Sequence, residues 1–284
     1  MASKFEKRDG NTVVKVLIYI VCIFFAILSI WPFFIMVINS TRSTFEIQQH
    51  AISFIPSTNL AYNWSIFDGK SFNVWTGLKN SGIIAVCATA CTIYFSTLTA
   101  YALVAYEWKL KNAFFTFILC IMMIPTIVIS IGTYQFFFEI GLSNNLLALI
   151  LPAIAAPAAI FFMRQFMVAS FPLEILDSAR VDGSPEFRTF NQIALPIMKP
   201  AMATQGIFSF VGTWNNLFLP SILLTKRELY TLPVMVSQLK GDIYKVEYGT
   251  VYLGLTLTVL PLFIIYFALS KYIIAGVALG SVKG

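Results

Sequence analysis

Few side chains in this 284-residue sequence are placed for bond-making chemistry. The single histidine, His50, stands in a polar stretch, and because a metal site needs three or four converging donors it reads as an exposed loop residue. Cys22, Cys87, Cys91 and Cys120 each lie inside an apolar run, so they read as small buried hydrophobes and not as disulfides or ligands. No H-E-x-x-H, G-x-S-x-G or G-x-x-x-x-G-K-[ST] occurs, which removes the usual zinc-hydrolase, serine-hydrolase and nucleotide-binding readings. The sequence therefore predicts no catalytic residue, no metal site and no cofactor in this chain. All 13 acidic residues fall in loops, tails or the ends of apolar runs, Glu107 and Glu139 lying nearest to membrane depth. Ion-coupled carriers need ionisable groups buried there, so their absence weighs against self-powered transport.

The densest mixed charge lies in 170–199, with Glu174, Asp177, Arg180, Asp182, Glu186, Arg188 and Lys199. Pro172 suits the first turn of a helix, Glu174 and Asp177 suit its positive end, and Ala179 and Gly183 are small residues at i and i+4. Such a face lets another surface approach the backbone closely. Gly183 and Pro185 then break the helix, and a second stretch from Glu186 leads through Ile193 to Leu195 and Pro196, where the chain turns apolar again. The expectation is a short helix lying across a membrane surface and shaped to dock. A second group, Trp214, Asn215 and Asn216, places an aromatic face and two amides in an apolar run. That pairing either holds a sugar by stacking and hydrogen bonding or packs the bundle, with the asparagines bridging helices. Tyr134, Gln135 and Gln205 carry the same two alternatives.

The elements that must position these residues are set by lipid. With 58% hydrophobic and only 11% charged residues the chain cannot make a water-soluble core. Apolar runs of the length needed for a hydrocarbon core about 30 Å thick recur at 12–38, 80–106, 112–138, 146–168, 200–224 and 248–274. An all-α membrane protein of six transmembrane helices is expected: a segment 1–11, a transmembrane domain 12–276 holding 170–199, and a tail 277–284. Pro125 should kink the third span, and 39–79 and 225–247 read as external loops. Of the 19 basic residues 12 fall on the side of the N-terminus and 7 on the other, which places both termini and 170–199 in the cytoplasm. No basic cluster stands apart from a span end, so no nucleic-acid partner is expected.

The charged segment resembles the EAA loop of permease subunits in binding-protein-dependent ABC importers. The loop's pattern of Glu-Ala-Ala, three residues, Gly, nine residues, Ile, one residue and Leu-Pro falls on Asp177, Ser178 and Ala179, Gly183, Ile193, Leu195 and Pro196 with every spacing kept. Asp177 replaces the glutamate and Ser178 an alanine, so the acid's role rests either on Asp177 or on Glu174. Asn80-Ser81, Ala100-Tyr101-Ala102, Gly141-Leu142, Trp214-Asn215, the stretch 230–233 and the ending 280–284 are similar to the carbohydrate group, the maltose-type second permeases. The resemblance implies a type I importer permease fold in a bacterial or archaeal plasma membrane. It implies an importer of sugars, oligosaccharides foremost, in which Glu174, Asp177, Ser178, Ala179, Arg180, Asp182, Gly183, Ile193, Leu195 and Pro196 couple to an ATPase. It also implies a heterodimer with a second permease, two cytoplasmic ATPase subunits that hold ATP and Mg, and an extracytoplasmic sugar-binding protein, which 225–247 would touch. A glycerol-phosphate permease of the same family, an ion-coupled secondary carrier and a membrane enzyme are the rival readings.

Overall fold

The computed structural model describes residues 12–69, 73–239 and 246–281. The segment 1–11, the tip of the second loop with Lys240 and Lys245, and residues 282–284 lie outside them. Every regular element among the described residues is a helix. The first, α1 (Thr12–Ser40), leads into α2 (Thr44–Gln49) and α3 (Leu60–Gly69), which fold much of the expected loop 39–79 into a cap. A buried Arg42 organises that cap by donating to Asn39 Oδ1 at 2.9 Å and to the carbonyls of His50 at 2.8 Å and Glu46 at 2.9 Å. Glu46 closes a capping box with Ser43, and hydrogen bonds from the Ser43 backbone and hydroxyl and from Ser57 hold its carboxyl below the usual carboxylate range.

The central element is α4 (Val74–Ala105), which starts before the expected residue 80 because Asn73 caps it, its side chain accepting from the Thr76 N–H at 2.9 Å. Its 32 residues make a rod of about 48 Å, longer than the hydrocarbon core, and no proline interrupts it. Then α5 (Lys111–Met122) and α6 (Thr126–Glu139) form the expected third span, but the two halves turn through 98° and not through a mild kink. Pro125 has no N–H to continue the ladder, and the turn before it tightens, Met123 donating to the Cys120 carbonyl and Ile124 to that of Ile121, each at 3.1 Å. After α7 (Leu147–Ile150) and a 3-10 turn (Leu151–Ile154) comes α8 (Pro157–Ser170). The carbonyl of Ala153, which Pro157 cannot serve, accepts from Thr92 Oγ1 of α4 at 3.0 Å.

The charged segment forms α9 (Glu174–Val181) and α10 (Glu186–Thr189), a π turn (Phe190–Ala194) and α11 (Leu195–Ile197). It runs into α12 (Lys199–Trp214), followed by α13 (Phe218–Leu223), α14 (Leu232–Leu239) and α15 (Tyr248–Ser281). The last helix passes the expected end of span six at residue 274 and runs into the expected tail. Among the described residues four stretches are long and apolar enough to cross a membrane, Val14–Ser40, Val74–Ala105, Leu147–Ser170 and Tyr248–Ala268, and the bent α5–α6 pair makes up to five. The expected fifth span, 200–224, is broken at 215–217, leaving α12 at 16 residues or about 24 Å.

Helix α4 packs chiefly against α12 and α8. At the crossing with α12 a Cβ on Gly206 would stand 2.8 Å from Ile93 Cδ1, so glycine leaves room there for the Ile93 side chain as it is placed. Near the start of α4, Asn80 Nδ2 donates to the carbonyls of Glu228 at 2.9 Å and Tyr230 at 3.1 Å, while Ser81 Oγ accepts from the Leu232 N–H at 2.9 Å. These bonds seat α14 on the rod. The cysteines depart from expectation: they are free thiols, but Cys22, Cys87 and Cys120 are exposed on this chain and Cys91 is half-buried. An apolar run does not fix which face turns inward, because lipid is as apolar as the bundle.

Candidate functional site

The charged segment folds back on the end of α4, and its helix has two distinct faces. Glu174, Asp177, Ser178 and Val181, at i, i+3, i+4 and i+7, are all exposed, Val181 to 87%. Leu176 and Ala179 are buried in the chain's own core, beside which Phe171, Phe190 and Met198 also lie. Ala179 is buried, yet it and Gly183 line one surface cleft, so the two small residues expected at a docking face stand together there. Pro172 precedes the helix and is not in its first turn, since the helix begins at Glu174.

Gly183 lies beyond the helix end at φ +74°, its N–H donating to the Arg180 carbonyl at 3.0 Å while the Ser184 N–H donates to that of Ala179 at 2.9 Å. That is a Schellman cap, and glycine is there for the left-handed conformation. A Cβ at this position would meet nothing within 4 Å. A cleft of about 320 Å³ opens beside it, lined by Ala179, Asp182, Gly183, Ser184, Arg188, Gln192 and Ile193. Leu195 is half-buried against the core and Pro196 is exposed in α11.

Arg180, expected on the coupling surface, is turned inward. Its Nε donates to Glu186 Oε1 at 2.8 Å, its Nη2 donates to the Ala105 carbonyl at 3.1 Å, and Asp177 Oδ1 stands 3.3 Å from Nη1. Tyr101 of α4 donates to Glu186 Oε2 at 2.8 Å. Burial works to raise the Glu186 carboxyl, but bonds from Tyr106, Arg180 and Tyr101 outweigh it and hold it below the usual carboxylate range. The same bond raises the Arg180 guanidinium, so the pair is charged at every physiological pH. The sequence marked Glu186 only as one charge among several, and it marked Val181 not at all. The Arg–Glu spacing of six residues across a glycine turn is no helical signal.

The second group does not converge. Trp214 is buried, its indole N–H donates to the Thr258 carbonyl at 2.9 Å, and its ring stacks on Phe210 with centroids 5.7 Å apart. It therefore has no free polar edge for a solute. Replacing Trp214 with alanine is expected to cost about 3–5 kcal/mol of stability, read as thermal aggregation in detergent and as lost assembly together with lost transport. Asn215 and Asn216 are exposed in the break after α12. Asn215 borders two hollows of about 470 and 340 Å³, and neither is lined by Tyr134, Gln135, Gln205, Trp214 or Asn216. Tyr134 packs beside the Ile84 and Phe137 cluster, Gln135 is exposed on α6, and Gln205 is half-buried on α12. Among the described residues no group of three or more His, Cys, Asp or Glu is placed to hold a metal.

Comparisons with known proteins bear on the whole chain. The family described as binding-protein-dependent transport system inner membrane component matches residues 92–278. An arabinooligosaccharides transport system permease protein of Halalkalibacterium halodurans is 32% identical, over 98% of this chain and 100% of that one. A lactose transport system permease protein of Rhizobium radiobacter is 36% identical, over 91% of this chain and 92% of its own. A chain in the crystal structure of a bacterial ABC transporter involved in import of the acidic polysaccharide alginate shares the fold, with a TM-score of 0.77, 20% identity, and coverage of 95% of this chain and 100% of that one.

Proposed function

This chain belongs to the family of binding-protein-dependent transport system inner membrane components, and on that premise we propose that it is a permease subunit of an ATP-driven sugar importer. It is a membrane subunit and not an enzyme. The relatives named for arabinooligosaccharide and lactose transport support an oligosaccharide as cargo. Family membership removes the ion-coupled carrier and the membrane enzyme. It also fits a chain in which α1, α4, α5, α8, α12 and α15 contain no Asp or Glu.

The finer reading has six spans, the bent α5–α6 pair forming the third and α12 with α13 the fifth. Both termini and α9 are cytoplasmic, as the excess of basic residues on that side supports. The chain forms half of a translocation path with a second permease. The observation that carries the coupling role is the free face of α9. Glu174 and Asp177 give it an acidic rim and Val181 an apolar end, and the opposite face is anchored in the core. An ATPase groove with basic edges and an apolar floor fits that face; the ATPase, present as two copies, holds ATP and Mg. The extracytoplasmic binding protein would meet the 225–247 segment.

The test is purification of the tagged chain from its native membrane in mild detergent, followed by reconstitution with the co-purifying subunits and binding protein. Uptake of lactose or an arabinooligosaccharide that requires internal ATP and persists without an ion gradient is expected. Uptake driven by the gradient alone would reject the reading.

A further inference from the structure

One carboxylate joins three elements at the end of α4. Glu186 opens α10, receives Arg180 of α9 on one oxygen and receives Tyr101 of α4 on the other, both at 2.8 Å. The guanidinium goes on to the Ala105 carbonyl at 3.1 Å and lies 5.4 Å over the Tyr106 ring. Ala105 ends α4, and the last carbonyls of a helix have no partner within it, so Arg180 grips the main chain of the span and not a side chain free to swing. Tyr101 in turn packs on Phe190 of the π turn with centroids 5.3 Å apart. The other end of the rod holds the 228–232 backbone through Asn80 and Ser81. An unbroken helix thus connects this joint to the segment on the far side.

We infer that Glu186, with Arg180 and Tyr101, is the positioning joint through which force on α9 reaches α4, so that its role is in coupling and not in docking. This rests on the reading of α9 as the docking helix. The two groups meet only at Asp177, whose carboxylate pairs with Arg180 Nη1 at 3.3 Å: Glu174, Ser178 and Val181 are exposed on the docking face, while Glu186 and Tyr101 lie on the inward side. The Glu186 side chain is 41% exposed and that of Arg180 33%, so loss of the pair takes little from overall stability.

The experiment uses the complete reconstituted transporter and measures ATP hydrolysed per sugar accumulated, with whichever of lactose or an arabinooligosaccharide the unmodified assembly takes up. Glu186→Gln keeps the shape and removes the charge; Tyr101→Phe removes only the hydroxyl. The expected result for Glu186→Gln is an ATPase subunit retained in wild-type proportion, basal hydrolysis within about twofold, and a ratio of ATP to sugar raised about tenfold. Tyr101→Phe should move the ratio the same way by a smaller factor, and it decides the matter alone if the first variant does not assemble. An unchanged ratio in both variants, or hydrolysis and uptake falling in proportion, overturns the inference. Absence of an ATPase from the unmodified assembly would instead overturn the reading of α9.

Discussion

Val181→Arg is expected to abolish sugar-stimulated ATP hydrolysis while leaving the permease folded, inserted and as heat-stable as the parent. Val181 is 87% exposed at the last turn of α9, and substitutions at so open a site ordinarily change stability by less than about 0.5 kcal/mol. A cation there also suits the negative end of the helix. If the site is the apolar end of a protein interface, the same charge must be desolvated without a partner, at a cost of several kcal/mol, which lowers docking by about 100-fold or more. Stimulated hydrolysis at the parental rate in Val181→Arg would show that the exposed face of α9 is not where the ATPase binds.

Gly183→Arg should be equally severe for coupling, and Gly183→Ala separates the reasons. At φ +74° any L side chain costs about 1 kcal/mol, and because a Cβ meets nothing within 4 Å that cost is all the alanine adds. Alanine is therefore expected to lower the melting temperature slightly with coupling retained. Arginine carries the same backbone cost but also projects a long charged chain beside the cleft lined by Asp182, Arg188 and Gln192, and sugar-stimulated hydrolysis should be lost. Loss with alanine as well would assign the effect to the Schellman turn. Full stimulation with arginine would remove the cleft from the contact.

What the sequence made legible was whatever lipid and covalent geometry dictate. Apolar runs placed α1, α4, α8 and α15, and charge with glycine and proline placed the α9 to α11 segment. The sharp corner at Pro125 was foreseen as a bend but not in size, because how far a helix turns after losing a ladder bond depends on neighbours. The cap built on Arg42 was read as loop, since a cation buried by carbonyls leaves no periodic pattern. Facing was the weakest point. Trp214 was left open between a solute contact and packing, although it is buried, because the apolar inside of a bundle and the lipid outside look alike in composition. The role of Glu186 escaped notice because Arg180 is 6 residues away and Tyr101 is 85, and only the folded chain brings Tyr101 to it.

The exposed face of α9 is the proposed docking site of an ATPase subunit. Its most direct test is a photo-crosslinking residue at position 181 in the chain in its native membrane, compared with the same residue at His50, an exposed position of the cap. An ATPase subunit identified by mass in the crosslink from 181 and absent from that at 50 is the predicted result. No ATPase captured at 181, or capture at 50 instead, would contradict the claim and reverse the sidedness on which it depends.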